Sequence, residues 1–349
     1  MEPALNVFGG EDSVRDFMNP GNRYLPLVEL PEDLNPFFDD GVRIFAKLMT
    51  FTSFHNVKVI PAFNMLAEAD ERGELDGVTT VIENSSGNTI SAVAVAARSF
   101  GIDDIRAIVP DEVSWHKLRM LRFLGISPIV NQEPAQPDRQ DPTSGIYKAK
   151  ELGKQDAWFN PGQYSNPDNP RAHRKWTGPQ IWEQTDGKIS VFCDGLGTTG
   201  TIIGTSEYLK DENPGVQVVG VMRAPDSYVP GPRTKLLLRL IGFDWKPHVD
   251  SVTQATTPES YGMSMELSRS GLYVGPSSGL SLVGLIRYLE ERKESDTLDE
   301  LRNADGEVVS VFICPDTPMP YFDEYFKYLD DSYFPEITNE EFLKNSPGS

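Results

Sequence analysis

Cysteine and histidine are scarce in this chain of 349 residues: it holds two of the first and four of the second. Cys193 and Cys314 close apolar runs and read as buried free thiols. Two such residues build no disulfide framework, and no Cys/His spacing suited to a metal occurs, which fits a reducing compartment. No metal is expected. Basic residues are also in deficit, with Lys+Arg 32 against Asp+Glu 52 and a net charge of −20. Such a surface repels phosphate backbones and anionic lipid, so nucleic acid and membrane are excluded as partners. No apolar run approaches the roughly 20 residues needed to cross a bilayer. The first residues lack a basic stretch followed by an apolar core, so no secretory leader is expected. These absences together predict a cytoplasmic protein.

What is present is alternation. The length suits two lobes or one large α/β unit. Short β-branched runs at 24–30, 42–48, 78–82, 105–109, 126–130, 189–193, 216–221, 272–274 and 308–314 predict strands. Helices are predicted between them at 61–72, 91–100, 113–124, 146–154, 178–185, 259–270, from the 195–201 turn to 210, and from the 275–279 turn to 292. Short links between strands and helices argue for parallel sheets covered on both faces. The segment 158–170 is dense in Asn, Pro and Gly and is expected to be irregular, as a lobe crossing or an active-site loop.

Three turns stand where predicted strands end, the position at which open α/β sheets bind ligands. Glu83-Asn84-Ser85-Ser86-Gly87-Asn88-Thr89 precedes an alanine-rich helix. Unpaired N–H groups and the helix dipole there favour an anion such as a carboxylate, although residues of these types also serve as plain N-caps. Gly195-Leu196-Gly197-Thr198-Thr199-Gly200-Thr201 resembles a phosphate cradle, with glycines for close approach and hydroxyls for the oxygens. It is neither G-x-G-x-x-G nor a P-loop, and it serves equally as a tight strand-to-helix link. The third turn is Gly275-Pro276-Ser277-Ser278-Gly279. Lys58 lies among apolar Val57, Val59 and Ile60. Burial lowers a lysine pKa and makes the amine nucleophilic, as a Schiff-base lysine requires; most lysines, by contrast, are solvated.

Taken together, these residues resemble the cysteine synthase and cystathionine β-synthase family of fold-type II pyridoxal phosphate enzymes. Lys58-Val-Ile-Pro-Ala62, running to Gly73, is similar to the helix opened by that family's Ser-Val-Lys-Asp-Arg lysine. Glu83 to Thr89 resembles its Glu-Pro-Thr-Ser-Gly-Asn-Thr substrate loop. Gln163-Tyr-Ser-Asn-Pro-Asp-Asn-Pro-Arg-Ala-His173 with Thr177-Gly-Pro-Gln-Ile-Trp182 is close to its Gln…Asn-Pro-Xaa-Asn-Pro…His…Thr-Gly-Pro-Glu-Ile-Trp block. The likeness runs in unbroken order from residue 22 to residue 325.

The resemblance implies a tryptophan synthase β-like α/β fold: two open, twisted, mostly parallel sheets covered by helices. It divides the chain into a smaller domain over 51–157, a larger one from 1–50 plus 158–335, and a tail at 336–349. It implies pyridoxal 5′-phosphate as cofactor, a small amino-acid substrate, a small nucleophile and a homodimer. Lys58 would hold the cofactor and later remove the substrate α-proton. Asn88 would bond the cofactor's 3′ oxygen, and Gly197, Thr198, Thr199, Gly200 and Thr201 its phosphate. Ser277 would face the pyridine nitrogen; a hydroxyl cannot keep that nitrogen protonated, which weakens the ring as an electron sink. Ser85, Ser86, Thr89 and Gln163, together with Asn88, would hold the substrate.

The reaction implied is β-replacement on an O-activated L-serine. An eliminating lyase of the same fold and a catalytically silent binding homologue are the rival readings. Departures from the family pattern cluster around the substrate: Asn56 for Ser, Val59-Ile60 for Asp-Arg, Ile90 and Pro276. The family's glycine-rich Gly-Ile-Gly-Ala-Gly-Phe segment stands here as Leu238-Arg239-Leu240-Ile241-Gly242-Phe243. Arg239 or Arg233 is a candidate for an anionic group on the donor or nucleophile, since a guanidinium fork suits phosphate or carboxylate; both could equally be solvated surface arginines. His55, close before Lys58, and His173 are expected to be structural.

Overall fold

The computed structural model describes residues 6–132 and 138–343, so the end of the expected tail lies outside the described residues. Its strands are β1 (Leu27–Glu29), β2 (Val42–Leu48), β3 (Thr80–Asn84), β4 (Asp104–Pro110), β5 (Ile126–Asn131), β6 (Trp158–Phe159), β7 (Ile189–Gly195), β8 (Gln217–Arg223), β9 (Ser251–Ala255) and β10 (Val308–Cys314). Two sheets result, one ordered β1-β2-β10-β7-β8-β9 and one ordered β5-β4-β3-β6. Only β1 with β2 is antiparallel among these pairings.

Local composition explains the layering. All seven residues of β10 are buried, and it pairs in register with β2 from Val308↔Val42 to Cys314↔Leu48. A strand covered on both faces needs no polar alternation, and each fully buried Val or Ile contributes about 1.5–3 kcal/mol. In the smaller sheet the helix Asn88–Ser99 follows β3, and its Ala92, Ala94, Ala96 and Ala97 are fully buried. Their small side chains let it lie close to the helix Val59–Glu71, whose Ala62, Leu66 and Ala69 share its core.

Several elements differ from expectation for identifiable reasons. The segment 272–274 is not a strand: the Val274 carbonyl accepts from Ser264 Oγ at 2.8 Å, tying the chain to a helix rather than to a sheet. β9 was not expected, because its Val252 and Gln254 are exposed at a sheet edge and its composition is polar. The helix expected to open at Pro61 begins at Val59, placing proline in the first turn, where no N–H partner is lost. The segment 158–170 contributes the short β6 and the start of a helix, Asp168–Ala172, which runs on as a π-helical turn, His173–Thr177. That stretch packs against the helix Gly200–Glu212 so closely that a Cβ on Gly204 would sit 1.9 Å from the Pro170 carbonyl oxygen.

Candidate active site

Lys58 caps the helix Val59–Glu71, and its own N–H donates to Asn56 Oδ1 at 3.0 Å. The preceding Val57 N–H reaches the Pro315 carbonyl at 2.7 Å, which fastens this corner to the end of β10. The lysine side chain opens into a cavity of about 390 Å³ lying between the strand ends of both sheets. Burial lowers the amine's pKa, the charges of Asp194 and Asp316 pull it back up, and Arg233 pushes it down. The lysine is therefore held away from bulk water, between opposing charges.

The turn after β3 forms one wall. Thr89 Oγ1 donates to Gln163 Oε1 at 2.7 Å, and Gln163 Nε2 reaches the Asn84 carbonyl at 3.3 Å. Beneath them Glu83 accepts from the N–H groups of Asn84, Gly162 and Gln163 at 2.8–3.1 Å. Desolvation still outweighs those bonds and pushes its pKa up to about 7. Ser85 Oγ accepts from the Gly87 N–H, and Ser86 faces the same space.

The opposite wall is the turn after β7. Thr199 adopts a left-handed φ of 69° as it caps the helix Gly200–Glu212, and its buried Oγ1 has no hydrogen-bond partner. Thr201 Oγ1 lies 3.3 Å from His173 Nε2, while His173 Nδ1 meets Thr177 Oγ1 at 2.9 Å. Burial brings the His173 pKa down to about 3, so the ring is neutral and positions the threonine. A Cβ on Gly197 would come to 3.0 Å from the Gly231 carbonyl oxygen, so a side chain there would press on backbone.

The floor is a carboxylate that motif reading did not single out. Asp316 accepts from Asn88 Nδ2 and Tyr321 Oη, each at 2.6 Å, and at 3.4 Å from Ser277 Oγ. Burial raises its pKa on balance, although Tyr321, Asn88, Ser277 and the Lys58 charge pull it back down. Donors surround it on three sides. Asp194, at the end of β7, also faces the cavity; burial pushes it up to about 7 against the pull of Lys58. Each of these acids closes or follows an apolar strand, which is the signal that could have found them.

Lys58, Ser85, Ser86, Asn88, Thr89, Gln163, Gly197, Thr198, Thr199, Thr201 and Ser277 thus line one cavity. Gly200 sits behind it, where a Cβ would strike Asn169 Oδ1. Arg233 reaches the cavity, and so do Arg223, His116 and Lys117, which the sequence did not single out. Arg239 does not: the 3-10 turn Leu237–Arg239 directs it to a separate hollow with Phe243 and Trp245. His55 is exposed, bonding the Thr50 carbonyl at 2.9 Å. Among the described residues there is no cluster of metal-ligating side chains and no helix long and apolar enough to cross a membrane.

A phosphorylated aldehyde fits this chamber: the buried Lys58 amine faces it, and so does the orphaned buried hydroxyl of Thr199 at a helix N-terminus. The family model for pyridoxal-phosphate dependent enzymes matches residues 19–298. Cysteine synthase B of Escherichia coli (strain K12) is 33% identical over 275 residues, covering 77% of this chain and 86% of that protein. Cysteine synthase of Aquifex aeolicus (strain VF5) is 31% identical over 298 residues, covering 82% and 85%. The solved cysteine synthase of Entamoeba histolytica superposes with a TM-score of 0.74 at 24% identity, covering 95% of this chain and 97% of that one, and so shares the fold. The fold and the match define a pyridoxal-phosphate dependent enzyme. The chain belongs to the cysteine synthase family of these enzymes.

Proposed function

We propose that this enzyme performs β-replacement on an O-activated L-serine (acetyl-, phospho- or similar), a sulfur or other small nucleophile taking the leaving group's place. The observation that carries this reading is that Lys58 opens onto one cavity whose walls are the Ser85–Thr89 turn with Gln163 and the Gly197–Thr201 turn.

Pyridoxal phosphate, when bound, supplies an electron-withdrawing system that acidifies the proton on the substrate Cα. Lys58 would hold the cofactor covalently and, once freed, would be the base for that proton; burial favours its neutral, basic form. Thr198, Thr199, Thr201 and the N–H groups opening the helix Gly200–Glu212 would hold the phosphate, with Gly197 lining the cavity and Gly200 letting Asn169 pack behind it. Neutral His173 steadies Thr201 without adding charge. Asn88 would address the cofactor's 3′ oxygen and Ser277 its ring nitrogen, and both are anchored by Asp316. Ser85, Ser86, Thr89 and Gln163 grip the substrate carboxylate at the start of the helix Asn88–Ser99, where the dipole favours an anion.

Product analysis tests this. Purified enzyme given O-acetylserine or O-phosphoserine with sulfide is expected to yield cysteine in proportion to donor consumed. Release of ammonia and a keto acid regardless of sulfide would make it an eliminating lyase. No turnover of any donor by cofactor-loaded protein would sink the reading.

A further inference from the structure

β7 ends on Cys193, Asp194 and Gly195, and successive side chains of a strand face opposite ways. Cys193 turns toward the helix Pro276–Glu294, where its Sγ donates to the Ser281 carbonyl at 3.3 Å. Asp194 therefore faces the other side with Phe192, which shares its core with Val57 and Ile60, on either side of Lys58. Asp194 and Lys58 line one cavity, the first at the end of a strand and the second capping a helix. Asp194 is only 5% exposed, and among the described residues no side chain donates to it. Its burial is eased by the Gly195 N–H and by the Lys58 charge alone. Asp316 differs, because its carboxyl already accepts from Asn88, Tyr321 and Ser277. Of the two acids, Asp194 acts on Lys58 the more strongly. The other groups facing the amine are Arg233, from the loop after β8, and His173, whose ring is neutral. Cys193 stays a thiol, since burial and the Asp194 charge both push its pKa up.

We infer that Asp194 is a positioning residue for the reaction: its carboxylate is the counter-charge that stabilises the Lys58 ammonium formed as the amine takes the substrate proton. The inference rests on the β-replacement reading above, in which Lys58 is that base. A proton alone moves: the substrate C–H bond breaks, its electron pair stays behind, and an N–H bond forms on Lys58 Nζ. The amine passes from neutral to cationic in a cavity with little water to solvate the new charge. A fixed negative charge placed there beforehand lowers the cost of that change.

Competitive labelling of cofactor-free protein with acetic anhydride, read by mass spectrometry of the peptide carrying Lys58, gives the pH at which the amine loses its proton. In D194N this midpoint is expected to fall by about one pH unit or more, the usual effect of removing a nearby opposite charge. D194E restores the charge and should bring the midpoint part of the way back. D316N should move it less. An unchanged or raised midpoint in D194N and in the smaller D194S would overturn the inference, and so would a larger fall in D316N than in D194N. In cofactor-loaded D194N, kcat for O-acetylserine with sulfide is expected to drop about tenfold or more with KM little changed, as for other preorganised charges. A rise in KM with kcat unchanged would instead place Asp194 in substrate binding and overturn the proposal. The labelling uses neither cofactor nor donor, so the two readings fail separately. A lowered midpoint without turnover of any donor leaves Asp194 governing Lys58 and sinks β-replacement; cysteine formation with an unmoved midpoint does the reverse.

Discussion

Lys58 and Asp316 divide the work at the floor of the cavity, and each can be removed without removing the other. K58A is expected to lose the borohydride-reducible cofactor adduct and about 10²- to 10⁴-fold in rate, the usual span for a positioned acid or base; mass spectrometry of the reduced protein checks the first. D316N replaces an acceptor surrounded by Asn88, Tyr321 and Ser277 with a group that must itself donate. It also deletes a negative charge acting on Lys58. The expected outcome is weaker cofactor affinity and a colour that bleaches at lower pH than in wild type, because the cationic form of the lysine linkage loses its counter-charge. A spectrophotometric pH titration measures this, and an unchanged midpoint would refute it.

At the scale of the element, Glu83 links β3 to the Gly162–Gln163 turn through a carboxyl whose pKa is raised from 4.5 to about 7. The unfolded chain ionises first as pH climbs. Stability from this group is therefore complete below about pH 4.5 and is lost as pH rises through about 7. Cofactor-free wild type is expected to show a falling Tm across that window, and E83Q a flatter profile by calorimetry. Gly204 offers a second test. A Cβ there lies 1.9 Å from backbone, which cannot yield as a flexible side chain can, so G204A should cost about 1–3 kcal/mol or more in denaturant unfolding.

These elements also show what a sequence reveals. β10 was legible residue for residue because two-sided burial writes itself as a Val, Phe and Ile run broken only by Ser310, and β2 because Val42, Ile44, Phe45 and Leu48 outweigh Arg43 and Lys47. β9 was illegible because an edge strand needs no such run. Most of the motif residues converge on one cavity because they follow a strand or open a helix, and termini carry local signals, whereas Gln163 arrives from the loop between β6 and the helix Asp168–Ala172. Arg239 lacks such signals, because the direction of a 3-10 turn is set by tertiary packing; for Asp316 the end of β10 marks the acid, and only its partners are set by packing.

For the whole molecule, a net charge of −20 across 349 residues means the folded chain repels itself. Screening shortens the reach of that repulsion to about 3 Å at 1 M salt. The Tm is therefore expected to rise between low and molar sodium chloride, and a fall would show that surface ion pairs such as Lys210–Asp250 outweigh the repulsion.

The cavity's two walls hang from different sheets: the Ser85–Thr89 turn from the four-stranded one, the Gly197–Thr201 turn from the six-stranded one. Grafting across this cleft is thereby constrained. The stretch leaving β8 at Arg223 meets the clamp's own loop on its way to β9, because Arg233 bonds Tyr164 Oη and the Gly242 N–H reaches the Tyr164 carbonyl beside Gln163, so exchanging it with that of a relative would have to carry Tyr164 along.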